Sequence, residues 1–324
     1  MADIAARAGT DKQIGLVQQI TNYAPELTTM LGRTIAGTSA SARVQIGIPK
    51  GGAFRAINDG SFTSAGSYER RRFNTFGFDA QLQVDELAVQ AAAQDGDSLG
   101  DLQSDEVAGA LQHKAILFSQ QFYGGTTIDP QGFPGLIDLL TIYQGVIDTR
   151  TGNKIVNYVD AGSTANTATT ECVWYVWNHL QGVHFLFGGN KTIDVNPWQW
   201  QYVAGKTPGT RLRASVSNIS GFIGLSGAHP WSVTCIKNID ATHPWTDALS
   251  AKLDQLTPAG YKPSFVFATK RARGYLQQSR TVAIQASAQT GNAKDIANVS
   301  QLPTMDLNGV PIIVTDGIQL QKSF

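Results

Sequence analysis

Two stretches of this chain alternate apolar and polar residues, and the segment between them constrains the fold more than any other feature. The first, "RVQIGI", puts Val44, Ile46 and Ile48 on one face. The second, "FGFDAQLQV", puts Phe76, Phe78, Ala80, Leu82 and Val84 on one face and Gly77, Asp79, Gln81 and Gln83 on the other. Both patterns predict half-buried strands, because successive side chains on a strand point to opposite faces. Between them runs "PKGGAFRAINDGSFTSAGSYERRR", residues 49–72. Hairpin loops usually take about 2–5 residues, and this one is far longer. It is rich in Gly, Ser and Asn and poor in large apolar groups, so it cannot bury itself on its own body. Such an excursion either covers an active site or reaches onto a neighbouring subunit. Its return leg carries Arg70, Arg71 and Arg72. One reading is a charged edge that blunts strand pairing. The other is a set of ion pairs to a neighbour's carboxylates. So short a basic run is a weak signal for nucleic acid.

The charge balance points the same way. Charged residues make up 15% of the 324 and the formal net charge is zero, against a usual charged share of about 25%. A basic nucleic-acid binder is not expected from that balance. A surface poor in charge is weakly protected against association, so much of it is expected to be hidden against copies of the same chain. Apolar residues are 42%, enough for a sizeable core and two lobes. The two cysteines, Cys172 and Cys235, lie in apolar runs and read as buried free thiols. No run is apolar for long enough to cross a bilayer, and a soluble protein made in a cytoplasm is expected.

Residues 1–42 are weakly patterned and read as an arm, with a short amphipathic helix around Ile14, Leu16, Val17 and Ile20. A long helix is predicted from Ser104 as N-cap, with Val107, Leu111, Ala115, Phe118 and Phe122 in one stripe and Gly124 and Gly125 ending it. The next stretch, "FYGGTTIDPQGFPGLID", is rich in turn residues and is expected to lead from helix to strand. The middle, from about 139 to 245, reads as mostly β, through "TECVWYVW", "HFLFGG", "WQWQYVAG", "RASVSNISGFIGLSG" and "WSVTCIKNI". All 6 tryptophans lie there, between Trp174 and Trp245. The end alternates helix and strand: "TDALSAKLDQL" capped by Thr246, "SFVFA", "TKRARGYLQQ" from Thr269, and "GVPIIVTD". That order points to a small α/β lobe.

No catalytic motif completes itself. Gly205-Lys206-Thr207 resembles the end of a phosphate loop, but the required earlier glycine is Trp200 and Pro-Gly follows. Gly224-Leu225-Ser226-Gly227-Ala228 misses the last glycine of a nucleophile elbow. His179 and His184 cannot share a metal from a strand or a helix face at their spacing. His113 lies on the predicted long helix, and His229 and His243 each stand beside a proline and read as turn residues. The acidic run of Asp95, Asp97, Asp101, Asp105 and Glu106 lacks calcium-loop spacing and reads as a solvated helix approach. No cofactor, metal or catalytic residue is expected.

The order of features resembles the major capsid proteins of tailed bacteriophages, the Hong Kong 97-type capsid fold family. The resemblance is carried by "YERRRFNTFGFDAQLQVDELAVQ", by a long helix ending "ILFSQQFYGGTTIDPQGFPGLIDLL", by "VWYVW" and "ISGFIGLSGAHPWSVTCIKNID", and by "PSFVFATKRARGYLQQ" with "NGVPIIVTDGI". It implies an α+β fold with an N-terminal arm (1–42) and an extended β-hairpin, the E-loop (43–85). It also implies a peripheral domain with a long spine helix (86–135 and 195–242) and an α/β axial domain (136–194 and 243–324). The placing of the α/β elements differs from the type member's order. Inter-subunit contacts are then expected from Lys50, Phe54, Arg55, Phe62, Tyr68, Arg70, Arg71 and Arg72. The spine helix core would be Val107, Leu111, Phe118 and Phe122. The inter-domain joint would be Gly124, Gly125, Pro130, Gly132, Pro134 and Gly135.

The implied function is non-catalytic: self-assembly into pentamers and hexamers of an icosahedral head that encloses double-stranded DNA without reading its sequence. Scaffolding, portal and decoration proteins are candidate partners, no membrane is involved, and the location is the virion, assembled in the host cytoplasm. The type member crosslinks a lysine to an asparagine; Lys50 lies in the excursion, but no matching acceptor is seen. Two alternatives are a bacterial nanocompartment shell and a hydrolase using residues 49–72 as a lid.

Overall fold

The computed structural model describes residues 24–47, 54, 57, 60, 65–94, 98–148, 152–163, 170–190, 193–205, 207–288 and 306–318. The expected helix near Ile14 lies outside them. From the N-terminus come α1 (Glu26–Thr29), β1 (Gly32–Thr34), β2 (Ser39–Gly47), β3 (Ser67–Asn74), β4 (Phe76–Asp85), α2 (Glu86–Gln94), α3 (Leu99–Gly124) and α4 (Leu136–Tyr143). Then come β5 (Tyr158–Asp160), β6 (Glu171–Val176), β7 (Val183–Phe187), β8 (Asp194–Val195), β9 (Gln199–Ala204), β10 (Arg211–Gly227) and β11 (Val233–Ile239). The chain closes with α5 (Asp247–Leu256), β12 (Phe265–Ala268), α6 (Lys270–Ala288), β13 (Asp306–Leu307) and β14 (Val310–Val314).

These strands make three sheets. The first runs β1-β7-β10-β4, with β8 and β9 also on β10. The second runs β13-β14-β12-β6-β11-β5, and the third is β2 with β3 alone. β10 is 17 residues long and serves as the mast of the first sheet. β4 lies antiparallel along it from Ala214↔Asp85 to Ile223↔Phe76. The alternation read in β4 holds: Leu82 and Val84 are buried, while Gly77, Asp79, Gln81 and Gln83 are exposed.

The second sheet explains why "ECVWYV" is apolar throughout. Both of its faces are covered, as in buried parallel sheets. Trp174 and Val176 point into one cluster with Phe122, Leu136, Leu140, Phe185 and Phe267. Val173 and Tyr175 point the other way, into a cluster with Ile236, Trp245, Leu253, Val266 and Leu276 under α5 and α6. Both cysteines sit in the first cluster as buried free thiols. That cluster takes side chains from both large sheets and from the facing ends of α3 and α4, so it ties the two halves together. Thr246 and Thr269 cap α5 and α6, accepting from Leu249 N and Ala272 N.

Four expectations need correction. β2 pairs with β3, from Ser39↔Asn74 to Gly47↔Ser67, and not with the run from Phe76, because β10 occupies that strand. Val44 and Ile46 therefore face no core: Ile46 is 40% exposed. α3 begins at Leu99 and not after Ser104. Ser98 and Asp101 form a reciprocal capping box, and such a box satisfies orphan donors one turn earlier; Ser104 Oγ instead donates to Gly100 O at 2.8 Å. "ELAVQAAAQ" forms a further helix, α2. The joint leads into a helix, α4, and not a strand. Its "LIDLL" is buried almost all round, and a short run of that kind carries no period to tell helix from strand. Finally, residues 195–242 divide between the sheets. β8, β9 and β10 belong to the first and β11 to the second, while β7 joins the first.

Candidate functional site

Among the described residues, the serine and histidines of the incomplete motifs do not come together as a catalytic group. Ser226 and His184 are register partners across β10 and β7, but both are buried within the sheet, with no strand-to-helix turn to present the serine. Burial lowers the His184 pKa. His179 stacks on Trp177 at 5.0 Å, and His229 meets the same indole edge-on at 5.5 Å. Gly205 and Thr207 lie in the β9–β10 turn, and Lys206 lies outside the described residues. Among the described residues no group of three His, Cys, Asp or Glu is placed to hold a metal.

The joint is a tightly built turn between α3 and α4. Gly125 closes α3 with φ +52°, its N–H donating to Gln121 O. A side chain there would run into the Asp138 carboxylate. That carboxylate accepts from Thr126 N at 2.9 Å and Thr126 Oγ1 at 2.7 Å. It also accepts from Gly135 N at 2.9 Å, capping α4. From the other side, Gln121 Nε2 donates to Asp129 O at 3.1 Å and Phe133 O at 2.8 Å. A Cβ on Gly132 would stand 2.5 Å from that amide nitrogen, and one on Gly135 2.5 Å from Gln121 O. Gly124, Gly125 and Gly135 are buried, Gly132 and Pro134 half-buried, and Pro130 exposed. The glycines and prolines expected here are thus brought together. The side chains that organise them, Gln121 and Asp138, were not singled out from the sequence, although Gly135 and Asp138 stand at N-cap and N3 spacing. Along α3, Phe118 and Phe122 are buried, Val107 is half-buried and Leu111 is 37% exposed. Only the C-terminal part of the stripe reaches the main core.

The hairpin has two unlike faces. Arg71 turns inward: its guanidinium lies 4.8 Å from the Tyr143 ring centroid and donates to Ala228 O at 2.7 Å. Glu69 pairs with it at 3.3 Å. Tyr143 OH donates in turn to Gly227 O. Burial raises the Tyr143 pKa, with Arg71 acting against that. Burial and then the Arg71 charge lower the His229 pKa. Arg70 and Arg72 point outward and are exposed, as are Tyr68 and Phe54. Lys50, Arg55 and Phe62 lie outside the described residues. The triple arginine, read from sequence as one unit, is split by strand alternation.

No protein-family model matches this chain, and no curated protein matches it. Solved structures do. A structure of bacteriophage Epsilon15 aligns with a TM-score of 0.68 at 17% identity, covering 99% of this chain and 96% of that one. The capsid of bacteriophage JBD30 aligns at 0.57 and 11% identity, covering 99% and 98%. The chain has the Hong Kong 97-type capsid fold. This capsid fold spans both large sheets and the hairpin, since the alignments take in nearly every residue. At these identities the likeness is one of architecture.

Proposed function

We propose that this chain is the major capsid protein of a tailed bacteriophage, copies of which form the pentamers and hexamers of an icosahedral head around double-stranded DNA. The observation that carries this reading is the β2–β3 ribbon. It is a two-stranded sheet in a chain with the capsid fold. An isolated two-stranded hairpin is marginal in water, and this one exposes most of its side chains. Its burial has to come from neighbouring copies. In this reading the ribbon is the E-loop and α3 the spine of the peripheral domain, with the first sheet beside it. The second sheet with α5 and α6 is the axial domain, which meets its copies around the five- and six-fold axes. The joint at Gly125 and Gly135 fixes the angle between them.

The role is non-catalytic. Closed symmetry multiplies modest contacts, and a neutral subunit suits a container that must not grip its DNA through many salt-dependent phosphate contacts. Scaffolding, portal and decoration proteins are the further partners, and assembly takes place in the host cytoplasm. The test is to replace residues 41–72, both ribbon strands included, by a short Gly-Ser turn. A folded chain that no longer forms shells is the expected result. A truncated chain that assembles as well as the parent would remove the ribbon from the account.

A further inference from the structure

The second sheet and α5 border an open cavity of about 290 Å³ that shell building does not call on. That is the small end of ligand pockets, roughly 300–1,000 Å³. It is room for about ten waters at ~30 Å³ each. The walls follow from the fold. Tyr175 and Thr234 are register partners across β6 and β11, so both side chains leave the same face of the sheet. Leu253 comes from α5, and Leu307 and Val310 come from β13 and β14. All three share the second core cluster with Tyr175, and the base of the cavity is apolar. Two turns make its lips. One is Asn308-Gly309 between β13 and β14, with φ +51° and +74°. The other follows Pro258, whose carbonyl accepts from Tyr261 N at 2.8 Å.

Three polar groups lining the cavity lack a counterpart. Tyr261 Oη is buried and, among the described residues, meets no hydrogen-bond partner in good geometry, although the Thr234 hydroxyl is beside it. A buried hydroxyl left unpaired is costly. The neighbouring Tyr175 shows the contrast: its OH donates to Ser250 Oγ at 3.0 Å, which also accepts from Trp245 Nε1 at 2.9 Å. At the mouth, Asp254 and Lys262 are both exposed. Among the described residues neither forms an ion pair. Asp254 stands in the last turn of α5, which holds no basic residue. The C-terminal end of a helix favours a cation, and the Asp254 carboxylate adds to that preference. The mouth therefore suits an ammonium at Asp254 and a carboxylate at Lys262.

We propose that this cavity binds a free aromatic amino acid whose ring carries a polar atom. Its ammonium meets Asp254, its carboxylate Lys262, and its ring lies against Leu253, Leu307 and Val310. The ring N–H or O–H reaches Tyr261 Oη. A zwitterion is favoured over a purely apolar molecule because charges of both signs flank an apolar base. The site is a property of the folded chain and goes beyond the capsid reading, so either can fail without the other.

The test is saturation-transfer NMR on the full chain, with L-tryptophan as probe and L-phenylalanine and tryptamine as comparators. Saturable binding of L-tryptophan is expected, with a dissociation constant of about 1 mM or below. L-phenylalanine, which has no polar ring atom, should bind about twofold to tenfold more weakly. Tyr261→Phe should weaken L-tryptophan by the same factor while leaving Tm unchanged or raised, because the hydroxyl removed is unpaired. Asp254→Asn should weaken L-tryptophan and tryptamine alike by about threefold. Lys262→Met should weaken L-tryptophan and leave tryptamine unchanged. No saturable signal up to about 10 mM probe, or three variants that all bind as tightly as the parent, would overturn the site. A signal lost as the chain concentrates into larger species would also overturn it, assigning the cavity to a second copy.

Discussion

Arg71 and Tyr143 are joined face to ring: the guanidinium lies 4.8 Å from the ring centroid while donating to Ala228 O at 2.7 Å. This contact anchors the ribbon to the body through α4 and the end of β10. Arg71→Ala removes a cation–π contact worth about 0.5–2 kcal/mol and leaves a carbonyl short of a donor. We expect global stability to fall by about 1–3 kcal/mol and amide exchange along β3 to quicken. Hydrogen exchange resolved to residues 67–74 reads this directly. Arg71→Lys should fall between, because a lysine cannot hold the ring and the carbonyl in the same flat geometry.

The joint glycines differ sharply from the helix glycines. Gly125→Ala puts a side chain at φ +52° and into the Asp138 carboxylate. Backbone strain plus the loss of that cap should cost about 2–4 kcal/mol, read as a lowered Tm. Gly109→Ala, inside α3 with nothing within 4 Å of its added Cβ, should instead stabilise by about 0.5–1 kcal/mol.

Glu26 gives a pH dependence. It is fully buried, accepting from Thr315 Oγ1 at 3.1 Å and Tyr123 OH at 3.3 Å. Burial raises its carboxyl above the ordinary 4.5. The folded chain therefore holds this proton more tightly than the unfolded one. The resulting stabilisation is complete below 4.5, declines as pH rises through the folded value, and is gone above it. Relative to the parent, Glu26→Gln should lose this slope and should gain in relative stability from acid toward neutral pH. Denaturant melts of both chains across that range check it; parallel curves would contradict it.

Burial pushes the Cys172 thiol up to about 12 and raises Cys235 as well. Since the thiolate is the reactive form, a thiol reagent at pH 8 should label neither residue until the chain unfolds. Prompt labelling of the native protein would contradict the packing of β6 against β11.

Much of the second sheet was legible in the sequence, because "ECVWYV", "SFVFA" and "GVPIIVTD" are short apolar runs set between turn residues, and because Thr246 and Thr269 announce their helices. The alternation in β4 was equally plain. Alternation names a face and not a partner, and so the pairing of β2 with β3 went unread: nothing local in "RVQIGI" distinguishes "YERRRF" from "FGFDAQ". The α3 start was misplaced because Ser98 and Ser104 are both good caps, and Asp101 decides between them only through its side-chain reach. The joint was found through its glycines and prolines; Asp138 stands at N3 spacing from Gly135, whereas Gln121 binds the joint through the Asp129 and Phe133 carbonyls, which no local pattern reveals. The division of 195–242 between two sheets depends on long-range pairing alone.

The central claim is that this chain builds shells. Expression of the full chain, with sedimentation and negative-stain microscopy of the product, tests it most directly. Closed icosahedral particles, or rings of five and six copies, are the expected result. A chain that remains a monomer or dimer, even with scaffolding protein or lysate from its native source, would contradict the account.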